Sequence, residues 1–295
     1  MVQAPLALRV DVDTRRGLAD GVPRLLALFR RLDVTASFFV TMGPERSGTA
    51  IRRAWRPSFL LKMLRTNPVR LYGVRALLAG TLLPARPVGA GAPAMLREIA
   101  AAGHEVAPHG WDHFGWQDRV ERLTAPAIRA ELVAAARAYE AALGMPPAAS
   151  AAPGWRMTGA ALLVQEELGF AYASDVRGRA PFRPRVDGGT LKTIQVPTTL
   201  PAMDELLGRV ADVEGALTDA LRDGLNVFTL HAEVEGGPLV ARFGAWLERV
   251  RRTGRPVSTL RAIADAASAH PVPEQAIVRG HVRGRSGWVA AAGAP

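Results

Sequence analysis

The sequence has no cysteine, which excludes a disulfide scaffold, a thiolate metal site and a cysteine nucleophile. Lysine is nearly absent as well: Lys62 and Lys192 are the only two among 37 basic residues, so the positive charge is almost wholly guanidinium. No uninterrupted apolar run reaches the roughly 18 residues that a membrane-spanning helix requires. The longest candidate, Val69 to Leu83, is broken by Arg70, Gly73, Arg75 and Gly80. The amino terminus lacks a basic segment followed by an apolar stretch and a small-residue cleavage site. Met1-Val2-Gln3-Ala4-Pro5 runs straight into the strand-like Leu6–Val12. The expectation is therefore a cytoplasmic protein, soluble or peripheral on the inner face of the membrane. Acidic residues are missing altogether between Arg46 and Arg97.

What is present points to a full globular core. Apolar residues make up 48% of the 295 positions and charged residues 22%, a balance that folds rather than stays disordered. Strand-like runs rich in Val, Ile, Phe and Thr lie at Leu6–Val12, Ala36–Val40, His104–His109, Ala148–Ala152, Tyr172–Val176, Thr193–Thr199, Asn226–His231 and Pro256–Leu260. Helical patterns fill Gly21–Leu32, Pro93–Ala102, Pro126–Leu143, Gly159–Leu168, Met203–Arg222 and Leu239–Thr253, several opened by Pro or closed by Gly. Strands alternating with helices predict parallel β-structure with right-handed crossovers, and this many strands predict an α/β fold of (β/α) barrel type in one domain spanning 1–295.

One segment breaks the rhythm. Residues 46–97 carry ten basic side chains: Arg46, Arg52, Arg53, Arg56, Lys62, Arg65, Arg70, Arg75, Arg86 and Arg97. The remainder of the chain has 27 basic and 27 acidic residues, so the net charge of +10 resides here. Trp55, Phe59–Leu61, Met63, Leu64, Leu71, Tyr72, Leu77, Leu78, Leu82 and Leu83 interleave with the arginines. A basic, apolar insertion between a strand and the next helix reads as an element that contacts an anionic membrane surface or a polyprenyl chain. The competing reading is ordinary helices with a solvated arginine face. Nucleic acid is not expected as a partner, because aromatic and basic residues do not alternate as a stacking platform requires.

The chemistry gathers at strand ends. Asp11 and Asp13, at i and i+2 on the first strand, point to the same side at its carboxyl end, where barrel enzymes keep their sites. Two adjacent carboxylates need a cation or a proton between them. His109 and His113, spaced i and i+4, direct two imidazoles at one ion if they share a helical turn. Two His and one Asp leave open positions for water and substrate, as a hydrolytic metal site requires. His231 closes the Asn226–His231 strand and is the natural general acid for a departing nitrogen. Arg156, in Pro153-Gly154-Trp155-Arg156, is suited to orient a carboxylate or bind a phosphate, and Asp175 to hold His231 in its protonated tautomer.

These motifs resemble the polysaccharide deacetylase (NodB-homology) family, whose members hydrolyse N-acyl groups of sugars on a distorted barrel. The resemblance implies that Asp11 is the base and that Asp13, His109 and His113 bind a divalent metal, zinc by default with manganese or cobalt as options. Leu230-His231 then matches the family's late Leu-x-His motif. Asp11–Thr14, Phe59–Arg65, Ala152–Arg156, Pro181–Pro184, Leu230–Gly236 and Val278–Gly280 are similar to the family's lipid-linked sugar deformylases. That implies an undecaprenyl-phosphate-linked formamido sugar as substrate, in aminoarabinose modification of lipid A. The alternative is a deacetylase of another N-acetylated sugar, peptidoglycan or a chitooligosaccharide.

Overall fold

The computed structural model describes residues 4–53, 63, 69, 71 and 73–294. Its centre is β1 (Leu6–Val12), whose seven residues are all buried, as expected of a parallel strand covered on both faces. On one side β1 pairs in parallel with β2 (Ser37–Val40), which pairs with β3 (Glu105–Pro108). On the other it pairs in parallel with β9 (Asn226–His231), while β10 (Val257–Ser258) joins at Leu6 and Ala7. A second parallel sheet is formed by β4 (Ala149–Ser150), β5 (Tyr172–Ala173) and β8 (Ile194–Gln195). Backbone hydrogen bonds join the two sheets on both flanks: Ala151 N–H donates to Pro108 O (3.2 Å), and Thr199 N–H donates to Val227 O (3.2 Å). The strands thus form two parallel sheets joined edge to edge by isolated bonds rather than by one continuous ladder.

Each strand run expected from the sequence contains a strand, and Leu6–Val12 and Asn226–His231 match residue for residue. Register then sets the site: Asp11 lies opposite His231 on β9 and Phe39 on β2, at the carboxyl ends of all three strands. Helices cover the outside through apolar stripes. The helix Val22–Leu32 buries Val22, Leu25, Leu26, Leu28 and Phe29, and the helix Val240–Arg252 buries Phe243, Trp246, Leu247 and Val250. Phe243 and Trp246 stack around Phe228 of β9, with ring centroids 5.9 and 5.0 Å away.

Three expectations are corrected. Met203–Arg222 is two helices, Met203–Leu206 and Val213–Asp219, because Gly208 turns left-handed (φ 64°) and Asp212 caps a new start by accepting from Gly215 N–H. His109 and His113 do not share a helix: His109 follows β3 and His113 opens the helix His113–Arg119. A further sheet, in the order β12 (Val289–Ala292), β11 (Glu274–Gly280), β6 (Arg183–Val186), β7 (Gly189–Thr190), has no counterpart in the expected elements.

In the insertion, a 3₁₀ segment spans Ser47–Arg53 and a short helix Val74–Leu78. Leu71 and Ala76 are buried, whereas Ile51, Val69, Val74, Leu82 and Leu83 are exposed. The expectations placed on Trp55, Arg56, Phe59–Leu61, Lys62, Leu64, Arg65, Arg70 and Tyr72 fall outside the described residues. No helix among the described residues is long and apolar enough to cross a membrane.

Candidate active site

Asp13, His109 and His113 converge from the ends of β1 and β3 and the start of the following helix, with one donor atom of each within 4.8 Å of the others. His109 Nε2 is 3.5 Å from Asp13 Oδ1, and His113 Nε2 is 3.2 Å from Asp13 Oδ2. The other ring nitrogen of His109 lies 2.9 Å from the Ala151 carbonyl, which fixes Nδ1 as the donor and turns the Nε2 lone pair toward Asp13. Asp13 Oδ1 and His109 Nε2 are buried without a hydrogen-bond partner, as donor atoms shaped for an ion are. One carboxylate and two imidazoles fit a divalent metal and leave positions for water and substrate.

Charge states agree with that use. Burial opposes ionisation of Asp13, yet His113 first and then His109 outweigh it and hold the carboxyl far below the usual carboxylate range. Burial pushes His109 down to about 4 despite the opposing pull of Asp11 and Asp13, so its imidazole is neutral, the form that ligates. The loop that carries His113 is anchored by Asp112. Its Oδ1 accepts from Gly115 N–H (2.9 Å), capping the helix, and its Oδ2 accepts from Arg46 of the insertion (2.7 Å).

Asp11 is held by a residue that the sequence reading passed over. Arg9, fully buried two positions earlier on the same strand face, donates from Nε to Asp11 Oδ1 (2.7 Å) and from Nη2 to Oδ2 (2.8 Å). Its Nη1 donates to Ser174 O, and its guanidinium is sandwiched between Phe39 and Trp155, each ring centroid 5.3 Å away. Burial alone would raise the Asp11 pKa. Arg9, and after it His109, outweigh burial and hold the carboxyl below its ordinary value. The signal was available: Arg9 is the lone cation in Leu6-Ala7-Leu8-Arg9-Val10-Asp11-Val12, at the spacing that puts it beside Asp11.

The carboxylate-orienting place considered for Arg156 is therefore occupied by Arg9. Arg156 lines the same cavity, with its guanidinium 4.4 Å above the Trp288 ring. Asp175 does not hold His231. Its carboxylate is turned the other way, accepting from Ala152 N–H (2.7 Å) and Gln195 Nε2 (2.8 Å), and burial raises its pKa. The acids on the His231 side are others. Glu235 accepts from His231 N–H (2.7 Å), and burial pushes it up to about 8. Asp204 and Glu233 line the cavity with His231. Glu233 is raised well above its ordinary value, first by burial and then by Asp13.

The cavity holds about 440 Å³, within the range of small-molecule sites. Its floor is Asp11, Asp13, His109, His113 and His231. Part of its wall comes from the insertion (Ser47, Ile51, Arg53, Met63, Leu77) and a second part from the loop between β11 and β12 (Arg285, Ser286, Trp288). The second part was invisible in the sequence. Trp155 also lines the cavity, in a turn where Gly154 and Trp155 are both left-handed (φ 61° and 54°). Trp155 is held there by Nε1–H donation to Thr198 (3.0 Å) and by Arg9, Arg177 and Arg285 around its ring.

Comparison with known proteins agrees with this geometry. The polysaccharide deacetylase family matches residues 5–173. The chain is 41% identical over 236 residues to a probable 4-deoxy-4-formamido-L-arabinose-phosphoundecaprenol deformylase of Shewanella sediminis, covering 78% of this chain and 76% of that protein. It is 30% identical over 278 residues to a probable deformylase of the same name from Wigglesworthia glossinidia brevipalpis, covering 92% and 96%. Among solved structures, a putative polysaccharide deacetylase from Mycobacterium smegmatis superposes with a TM-score of 0.65 at 21% identity, covering 96% of this chain and 99% of that one. The Puue allantoinase superposes at 0.59 with 15% identity, covering 90% and 91%. These two likenesses speak to the fold alone.

Proposed function

The chain belongs to the polysaccharide deacetylase family, and from that membership we propose the following reading of its site. The protein is an amide hydrolase that removes the formyl group from undecaprenyl-phosphate-linked 4-deoxy-4-formamido-L-arabinose. The observation that carries this reading is the meeting, in one cavity, of an Asp–His–His donor set, an Arg-clamped carboxylate and a strand-end histidine.

Asp13, His109 and His113 would hold the divalent ion, zinc by default, with manganese or cobalt also compatible with the donors. Such an ion supplies Lewis-acid polarisation of the formyl carbonyl and acidifies the attacking water. Asp11, ionised and fixed in orientation by Arg9, takes the proton from that water. His231 is the register neighbour of Asp11 on the adjacent strand, lines the same cavity, and gives a proton to the departing sugar nitrogen. Formate and a free amine result, and the amine is cationic at neutral pH. Arg156 and Arg285, both in the cavity wall, are the cations assigned to the sugar's phosphodiester.

The polyprenyl chain is assigned to the insertion, which lines the cavity with Ile51, Met63 and Leu77 and exposes Val74, Leu82 and Leu83. With its unbroken run of positive charge, segment 46–97 lies against the anionic face of the inner membrane, on the cytoplasmic side. The test is formate release from the lipid-linked formamido sugar, with and without chelator, beside acetate release from N-acetylated sugar oligomers. Chelator-sensitive formate release is expected. Acetate release as fast as formate release would transfer the assignment to a general sugar deacetylase.

A further inference from the structure

The peptide group between Ala151 and Ala152 gives both of its polar ends to side chains. Its carbonyl accepts from His109 Nδ1 (2.9 Å), and its N–H donates to Asp175 Oδ1 (2.7 Å). It lies just past β4, where the two parallel sheets are joined by the isolated bond from Ala151 N–H to Pro108 O (3.2 Å), so no strand ladder fixes its plane. Asp175 is itself aimed. Gln195 of β8 donates from Nε2 to Asp175 Oδ2 (2.8 Å) and accepts from Asp175 N–H at Oε1 (3.1 Å), and both side chains are fully buried. Burial raises the pKa of Asp175, while Gln195, Gln165, Arg9 and Ala152 pull it back. Asp175 does not line the cavity and is not among the residues that bring metal donors together. Its one route to the chemistry is the peptide it holds.

We propose that Asp175 is a positioning residue of the metal site, acting on His109 through the Ala151–Ala152 peptide. The inference rests on the reading of Asp13, His109 and His113 as metal ligands. A carboxyl group that accepts the N–H of a peptide polarises the carbonyl at its other end, since hydrogen bonds in a chain strengthen one another. That carbonyl then holds the His109 Nδ1–H more firmly, which fixes the ring plane and makes Nε2 a better donor to a cation. Ligating histidines commonly give their second N–H to a carboxylate or a carbonyl, and here a peptide stands between the two. The preceding residue serves the other half of the site. Ser174 accepts from Arg9 Nη1 at its carbonyl and at Oγ (3.2 Å), and Arg9 clamps Asp11. Two consecutive residues beyond β5 thus orient a metal ligand and the proposed base.

The experiment uses the full chain, metal-free and loaded with zinc alone, with affinity read by competition against a chelating dye. Asp175→Asn is expected to weaken zinc binding roughly 10-fold and to move the His109 Nδ1–H proton resonance upfield. Asp175→Asn/Gln195→Glu gives every group a partner again, the new amide donating to the new carboxylate, and should return affinity to within about threefold of the parent. If the single variant misfolds, the parent itself answers: zinc should shift the Ala152 amide proton downfield and leave that of Ala151 nearly in place. Zinc affinity of Asp175→Asn equal to the parent's overturns this inference alone, and so does an Ala152 amide that ignores zinc. A loss that the double variant does not recover confines Asp175 to folding and overturns it too. A parent that takes up no zinc removes the ligand reading and this inference with it. The expected zinc responses without any formate release overturn the hydrolase reading and keep this one.

Discussion

At the scale of single residues, the site is a set of buried charges that survive through their partners. Arg9 and Asp11 illustrate it: two fully buried groups with two parallel hydrogen bonds between them, a geometry that lysine cannot reproduce. Arg9→Lys is expected to bind metal as the parent does, to melt lower, and to lose about 10²-fold in kcat, because the proposed base, Asp11, keeps its charge but not its aim. Metal analysis beside steady-state kinetics decides, and an unchanged kcat removes Arg9 from the mechanism. Glu235 makes the opposite case. Its carboxyl titrates near 8 in the fold against an ordinary value of 4.5, so the native state keeps a proton that the unfolded chain has already given up. Stability from this group is present below about 4.5 and is lost as pH rises toward 8, by roughly 1.4 kcal/mol per unit at most. Glu235→Gln mimics the protonated form and keeps an acceptor for His231 N–H. Melting curves of variant and parent should coincide near pH 5 and separate in favour of Gln by pH 8. Parallel curves across that range would refute the assignment.

At the scale of elements, what was legible followed burial. The parallel strands announce themselves because a parallel strand covered on both faces is a continuous apolar run, and the charged residues that interrupt such runs (Arg9, Asp11, His231) are those of the candidate site. The sheet of β6, β7, β11 and β12 was not legible. β11 has no buried residue and no alternation, and Arg285 and Trp288 reach the cavity through contacts more than a hundred residues away in sequence. Pairing of His109 with His113 was foreseen for a reason that does not apply, since a strand end and a helix start bring them together. The join depends on Asp112, which caps the helix and receives Arg46 at once. Asp112→Ala is expected to cost about 1–2 kcal/mol in stability through the lost cap and to weaken metal binding roughly tenfold, because His113 is the first residue of that helix. Competition against a chelating dye measures the second effect. Metal affinity that stays unchanged while stability falls would confine Asp112 to folding.

At the scale of the whole molecule, the charge has an address. A net +10 spread over a surface would favour any polyanion, but outside residues 46–97 the chain is balanced, and the excess sits on the insertion that walls the cavity. Among its described arginines two kinds stand out. Arg46, itself exposed, and the half-buried Arg53 are spent on partners within the protein, paired with Asp112 and Asp118 at 2.7 Å each, and tie the insertion to the helix that carries His113. Arg52, Arg75 and Arg86 are exposed and form no ion pair among the described residues, beside the exposed Ile51, Val74, Leu82 and Leu83. An exposed arginine near an anionic bilayer contributes about 1 kcal/mol, so replacing these three with glutamine should weaken partitioning onto phosphatidylglycerol vesicles by roughly 10²-fold. The parent's own binding should fall steeply between low and physiological salt, because its charges lie at the surface. Formate release from a short-chain soluble substrate should be untouched in the triple variant, while release from a vesicle-borne substrate should drop with binding. The matching change at Arg46 and Arg53 should instead damage both. Vesicle binding by the triple variant equal to that of the parent would mean that the arginine face is solvated only, and the lipid-linked sugar would have to be captured through the apolar wall of the cavity alone.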